Sequence, residues 1–156
     1  KSGLVKGSVT QKGRENSIMV IAVSHSIVSP RDPASGLPIG KRMHHPLVIT
    51  KELDKSSPVL YNMMVNNENI KEFTLDFWAP SRTAGAGAAG VETQHYTIKL
   101  TNANIASIDF RMLNNKNPEL VRYAEYEEIA FTYQKIEWTW KDGGITSMDD
   151  WESPVV

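Results

Sequence analysis

Three stretches of this chain alternate apolar and polar residues with a period of two, and that rhythm limits the possible fold more than any other feature. Phe73, Leu75 and Phe77 alternate with Glu72, Thr74 and Asp76; Tyr96, Ile98 and Leu100 alternate with Thr97, Lys99 and Thr101. Ala106, Ile108, Phe110 and Met112 do the same against Ser107, Asp109 and Arg111. Successive strand residues point to opposite faces, so each stretch predicts a strand with one buried and one wet face. A last run, residues 126–140, holds Ile129, Phe131 and Tyr133 on one parity and Ile136, Trp138 and Trp140 on the other. Its apolar face therefore switches near Gln134 and Lys135, as at a bulge or a barrel corner.

The first half of the chain reads differently. Residues 18–23 are apolar on both faces, which suits a strand covered on both sides and hints at a partner subunit. Residues 28–43 carry three prolines and two glycines in SPRDPASGLPIGKR, so they predict a long loop with neither helix nor paired strand. A strand over 45–50 leads into Asp54-Lys55-Ser56-Ser57-Pro58, where Ser57 is expected to cap a helix and Pro58 to occupy its first position. Leu60, Met63 and Met64 then share one face of a short helix over 58–66. Residues 83–90, almost all Ala and Gly, predict a flexible hairpin tip, and the tail after Gly143-Gly144 is too short and irregular to predict another element. These elements predict a mainly β (α+β) fold: a small antiparallel β-barrel or sandwich with one short flanking helix. At 156 residues, a single domain over 1–156 is expected.

Composition removes several functions. The chain has 17 Lys plus Arg against 18 Asp plus Glu, so neither nucleic acid nor an anionic membrane is expected as the main partner. The absence of cysteine excludes disulfides, thiolate metal sites and cysteine nucleophiles. The longest apolar run is far shorter than the ~20 residues of a membrane span, and no signal-peptide pattern opens the chain.

No motif carries chemistry convincingly, and no catalytic residue, metal site or cofactor is expected. His44 and His45 are adjacent and would point to opposite faces of a strand; His25 and His95 have no patterned carboxylate nearby. Ser24-His25-Ser26 lacks a nucleophile-elbow setting, and Gly85-Ala86-Gly87 lacks the helix and the Gly-Lys-Ser/Thr ending of a phosphate loop. Glu125, Glu127 and Glu128 could be paired carboxylates for acid–base work on sugars, but a solvated or interfacial charged face is the simpler reading. Trp138, Trp140 and Trp151 could stack sugars or bases, although tryptophans this dense more often close a core or an interface.

Three stretches carry a resemblance: Thr50-Lys51-Glu52-Leu53-Asp54-Lys55-Ser56-Ser57-Pro58-Val59-Leu60-Tyr61, then Tyr133-Gln134-Lys135-Ile136-Glu137-Trp138-Thr139-Trp140, then Lys141-Asp142-Gly143-Gly144. With the opening Val5-Lys6-Gly7-Ser8-Val9 and the Pro-rich loop before His44-His45-Pro46, the chain resembles the haemolysin-coregulated protein (Hcp) family of type VI secretion. It departs from the family in lacking most of the strand ahead of Lys6-Gly7-Ser8 and in the blandness of residues 83–90; no toxin domain is expected after Trp151.

The resemblance implies a non-enzymatic, ring-forming β-barrel with a flanking helix. It implies a homohexamer whose rings stack head to tail into a hollow tube inside a contractile sheath, capped by a spike protein. That tube would be expelled from the cytoplasm without a signal peptide and could carry small effector proteins in its lumen. On this reading the loop residues Pro30, Arg31, Asp32, Gly36 and Lys41 are expected to stack rings, and Met19, Ile21, Val23, Pro58 and Tyr61 to pack subunits within a ring. Two alternatives stand beside it: a monomeric carbohydrate-binding or carbohydrate-processing β-module using Glu125, Glu127, Trp138 and Trp140, and a phage-derived tail-tube protein.

Overall fold

A computed structural model describes residues 3–10, 14–80 and 92–151. The chain is mostly antiparallel β-structure with one helix, in the order β1 (Val20–Ser24), β2 (Ile27–Val28), β3 (Met43–His44), β4 (Leu47–Glu52), α1 (Ser57–Val65), β5 (Ile70–Pro80), β6 (Glu92–Arg111), β7 (Tyr126–Thr132), β8 (Lys135–Trp140) and β9 (Ile145–Asp150). It divides into two compact units, Lys1–Asn69 with Asn104–Thr132, and Ile70–Ala103 with Tyr133–Val156. Among the described residues no helix is long and apolar enough to cross a membrane.

In the first unit, β4 lies between β1 and β7, and β7 pairs in turn with the C-terminal part of β6. The inward parity of β4 and β7 places Leu47 opposite Phe131 and Ile49 opposite Ile129. All four are at most 2% exposed, and burying each large aliphatic or aromatic side chain stabilises the fold by about 1.5–3 kcal/mol. Leu60 and Met63 of α1 are buried as the helical spacing predicts, while Met64 is half-buried.

In the second unit, β5 and β8 flank the N-terminal part of β6, and β9 extends the sheet beyond β8. One face aligns Leu75 with Ile98 and Phe73 with Leu100, then Ile136 and Trp138 with the same two β6 residues. The other face aligns Thr74 with Lys99, Lys99 with Glu137, and Thr97 with Thr139. The alternation read from the sequence is thus realised on both sides of the sheet.

Four boundaries depart from the expectation. The alternating stretches 96–101 and 106–112 belong, all but Met112, to one strand of 20 residues; Asn102 within it has a left-handed φ of 52°, and a bulge follows between Ile105 and Ser107. The tail after Gly143-Gly144 is not irregular: both glycines adopt positive φ, which only glycine does cheaply, and the chain returns as β9 along β8. Residues 28–43 do contain pairing, because β2 and β3 form a short ribbon and Arg31 bridges Pro38. The strand over residues 18–23 is not covered on both faces within the chain; four of the five β1 residues are exposed. The face switch at Gln134 is real. There β7 ends and β8 begins, with the Gln134 N–H donated to the Thr101 carbonyl and the Asn102 side-chain amide donated to Gln134 Oε1 at 2.8 Å. The expected tip at residues 83–90 lies outside the described residues.

Candidate functional site

The motif Asp54-Lys55-Ser56-Ser57-Pro58 is fixed from below by a buried charge. Lys51, on the inward parity of β4, is completely buried, and so nearly is Glu127 across from it on β7. Lys51 Nζ donates to Glu127 Oε1 at 2.5 Å, to Ser57 Oγ at 3.0 Å and to the Glu52 carbonyl at 3.0 Å, using all three of its protons. Ser57 Oγ donates its own proton to Glu127 Oε1 at 2.8 Å. Glu127 Oε2 has no partner among the described residues. The cluster ties β4, β7 and the start of α1 together.

Ser57 therefore does not cap the helix, as the sequence had suggested; its hydroxyl is committed to the buried pair, and Ser56 is the N-cap residue. Asp54 takes over the capping chemistry in the turn, accepting from the Ser56 N–H at 2.8 Å and from the Ser56 hydroxyl. Burial alone would raise the Asp54 carboxyl, but these hydrogen bonds and the Lys51 cation offset it and hold the group below its ordinary value. The expectation of a solvated or sugar-facing carboxylate at Glu127 is overturned by the same geometry.

The outward surface has the opposite character. β1 is hydrogen-bonded only to β4, and among the described residues its outer edge has no strand partner. Met19, Ile21 and Val23 are 52%, 56% and 36% exposed, and Ile21 sits at the register shift between Val20 and Ala22. On α1, Pro58 and Tyr61 are exposed, and Val65 extends their stripe by one further turn. The helical spacing of 58, 61 and 65 contained that addition.

The 29–41 loop divides its five expected residues by role. Asp32 folds the tip: its carboxylate accepts from the Ala34 N–H at 2.9 Å and from the Ser35 hydroxyl at 3.1 Å, which keeps the carboxyl below its ordinary value. Gly36 supplies the left-handed turn at φ 73° and returns its N–H to the Asp32 carbonyl, and Pro30 accepts from the Ile39 N–H. Arg31 and Lys41 are exposed.

The remaining sequence candidates do not converge on chemistry. Among the described residues no group of three His, Asp or Glu side chains could hold a metal ion. His25 lies with His44 and His45 at the root of the ribbon, and burial first, then these two neighbours, lower its pKa. Trp140 joins Tyr96, Phe77 and His95 in an aromatic group with centroid separations of 5.6–6.5 Å, rather than forming a platform with Trp151.

The profile of the family described as "Type VI secretion system effector, Hcp" matches residues 1–140. The chain belongs to the Hcp family. A protein of Pseudomonas aeruginosa named "Major exported protein" is 38% identical over 149 residues, covering 96% of this chain and 83% of that protein. Among solved structures, a mutant of Hcp1 from the E. coli EAEC 042 pathovar superposes with a TM-score of 0.80 at 32% identity, covering 94% of this chain and 89% of the other. Secreted protein Hcp3 of Pseudomonas aeruginosa gives a TM-score of 0.69 at 31% identity, with 90% and 80% covered. The antiparallel β-architecture with one helix is thus the Hcp fold, and Lys51 and Ser57 of the buried cluster lie inside a stretch through which the sequence resembled that family, while Glu127 lies outside it.

Proposed function

We propose that this Hcp chain is the repeating subunit of a secreted type VI tube and acts by assembly, not by catalysis. Six copies close into a ring, rings stack head to tail, and the tube leaves the cell with a spike protein at its tip, driven by a contractile sheath. The observation that carries this reading is β1: an apolar strand, exposed on a single chain and open along its outer edge. Such an edge is a template for pairing with another chain, and a heterologous contact closes into a ring when its rotation permits. The 38%-identical Pseudomonas aeruginosa protein is named as an exported one, which supports secretion of this chain. The polar face of the second unit, with Thr74, Lys99, Glu137 and Thr139, suits a wet channel wall able to hold small effector proteins.

Met19, Ile21 and Val23, with Pro58 and Tyr61, form the contacts within a ring, and the 29–41 ribbon forms the contacts between rings. Light scattering on the purified chain tests the core of this. A mass of six times 17.4 kDa, reduced to one copy by Ile21→Asp, is the expected result. A monomer at every concentration would sink the proposal.

A further inference from the structure

The ribbon meets the sheet at an irregular joint. β1 and β4 pair as far as Ser24 opposite Val48, and pairing resumes in the separate β2–β3 ribbon with Ile27 opposite His44. Between these two pairs one strand has two residues, 25 and 26, and the other has three, 45 to 47. That count is a bulge, where a ladder bends, and Pro46 within it has no N–H to give. The His45 N–H reaches the Ser26 carbonyl at 3.1 Å across the joint. Farther out, the pairs made by Ile27 and Val28 and the Arg31–Pro38 bridge hold the ribbon together.

Three imidazoles crowd this joint. His25 stands two residues before Ile27, the partner of His44, so His25 and His44 approach each other diagonally, and both His44 and His45 act on His25 electrostatically. His25, His44 and Arg42 are half-buried, while Met43 and His45 between and beyond them are exposed. Along residues 20–46 the other charges are Arg31, Lys41 and one carboxylate, Asp32. That carboxylate is committed to the Ala34 N–H and the Ser35 hydroxyl at the ribbon tip. On β4 the charged side chains, Lys51 and Glu52, stand at the far end of the strand. The closed joint therefore opposes a proton on His25, through burial first and then through the two neighbouring imidazoles.

We propose that this joint is an acid-opened hinge: protonation of His25 and His44, beside the Arg42 cation, drives the ribbon off the end of the sheet while the sheet stays folded. An imidazole that binds its proton weakly in the closed joint binds it more tightly once the joint opens, so each proton taken up below about pH 6.5 favours opening. The sheet holds, because the Asp54 carboxyl lies below its ordinary value of 3.8 and stays ionised in that window, leaving the Lys51 cluster charged and paired. The hinge belongs to the single chain and goes beyond the tube reading. One consequence does rest on that reading, which assigns the ribbon to contacts between rings: acid then parts stacked rings without breaking them.

Amide hydrogen exchange of the full chain, read peptide by peptide in a mass spectrometer at about pH 7.5 and about pH 5 and corrected for intrinsic rates, tests the hinge. At the lower pH, residues 26–28 and 43–45 should exchange about tenfold faster, a factor of about three from each imidazole, while β7 keeps its protection. His25→Gln with His44→Gln should erase the acceleration. Equal protection at both pH values, loss of β7 protection in the same window, or acceleration that survives the double substitution would each overturn the hinge. A second variant reads the same device from the other side: His44→Arg sets a permanent cation in the joint and should open the ribbon already at about pH 7.5. A ribbon that stays closed there would also sink the idea. In electron micrographs, tubes should come apart into rings over the same window. Tubes that persist while the ribbon opens would instead remove the ribbon from the contacts between rings and leave the hinge standing.

Discussion

The Lys51 cluster and the β1 edge reverse the usual distribution of polarity, and they do so on adjacent strands of one sheet. On β4 a cation is fully buried; on the neighbouring β1, Ile21 and Val23 are exposed, as is Met19 just ahead of the strand. The buried pair contributes little net energy against a well-packed apolar substitute, because both ions lose their hydration. Its value lies in register and direction: only one arrangement of β4, β7 and α1 satisfies Lys51. The exposed edge costs the single chain solvation that only another chain can recover. The chain fixes its own shape with charge and leaves apolar surface exposed.

The largest effect should come from breaking the buried side of this contrast. Lys51→Met leaves Glu127 charged and unpaired in the core and should cost about 3–5 kcal/mol in urea unfolding. Adding Glu127→Leu should recover most of it; if the single substitution were tolerated, the cluster would not be what holds α1. A close approach of backbone at Gly7 gives the next effect. A Cβ there would lie 2.5 Å from the Ser17 carbonyl oxygen and 2.6 Å from Ile18 Cα, so Gly7→Ala should lower stability by about 1–3 kcal/mol through overpacking. Ser57→Ala should follow at about 1–2 kcal/mol, since it withdraws one acceptor from Lys51 and one donor from Glu127.

The exposed side sharpens the comparison by its silence. Ile21→Asp should change the stability of the isolated chain by no more than about 0.5 kcal/mol, while removing the ring. Equal loss of fold and ring would mean that β1 belongs to the core. The smallest effect concerns acid. His25 has its pKa lowered in the folded chain from 6.5, so the unfolded chain binds the extra proton first and stability falls as pH drops below about 6.5. Thermal unfolding across that window should show the slope, and His25→Gln should flatten it.

Much of the fold was legible because alternation is a local signal: Phe73, Leu75 and Phe77 announce a buried face without reference to anything distant. β9 was hidden for the opposite reason. It is an edge strand whose Ile145, Thr146, Ser147 and Met148 are all exposed, so no buried parity marks it. The continuity of β6 was masked by Asn102-Ala103-Asn104, which interrupts the alternation and carries one left-handed φ within a single strand. The exposed candidates on β1 were visible as part of a run apolar on both faces. Lys51 and Glu127 were not, because burial of a lysine depends on a carboxylate 76 residues away, and nothing nearby in the sequence records that pairing. The sequence placed Lys51 in the stretch that resembles Hcp, but gave no reason for it.

The unpaired edge of β1 also bears on how such a protein can be stored. On the tube reading proposed above, a subunit waiting for its ring carries a sticky strand, and every encounter with the wrong chain competes with productive closure. Wrong encounters rise with concentration, so the pool of free subunits has a ceiling set by this one strand. Production matched to demand, or rapid closure into rings that hide the edge, would keep that pool below it. A ring is then the soluble form in which the subunit can be stockpiled, ready before any tube is needed.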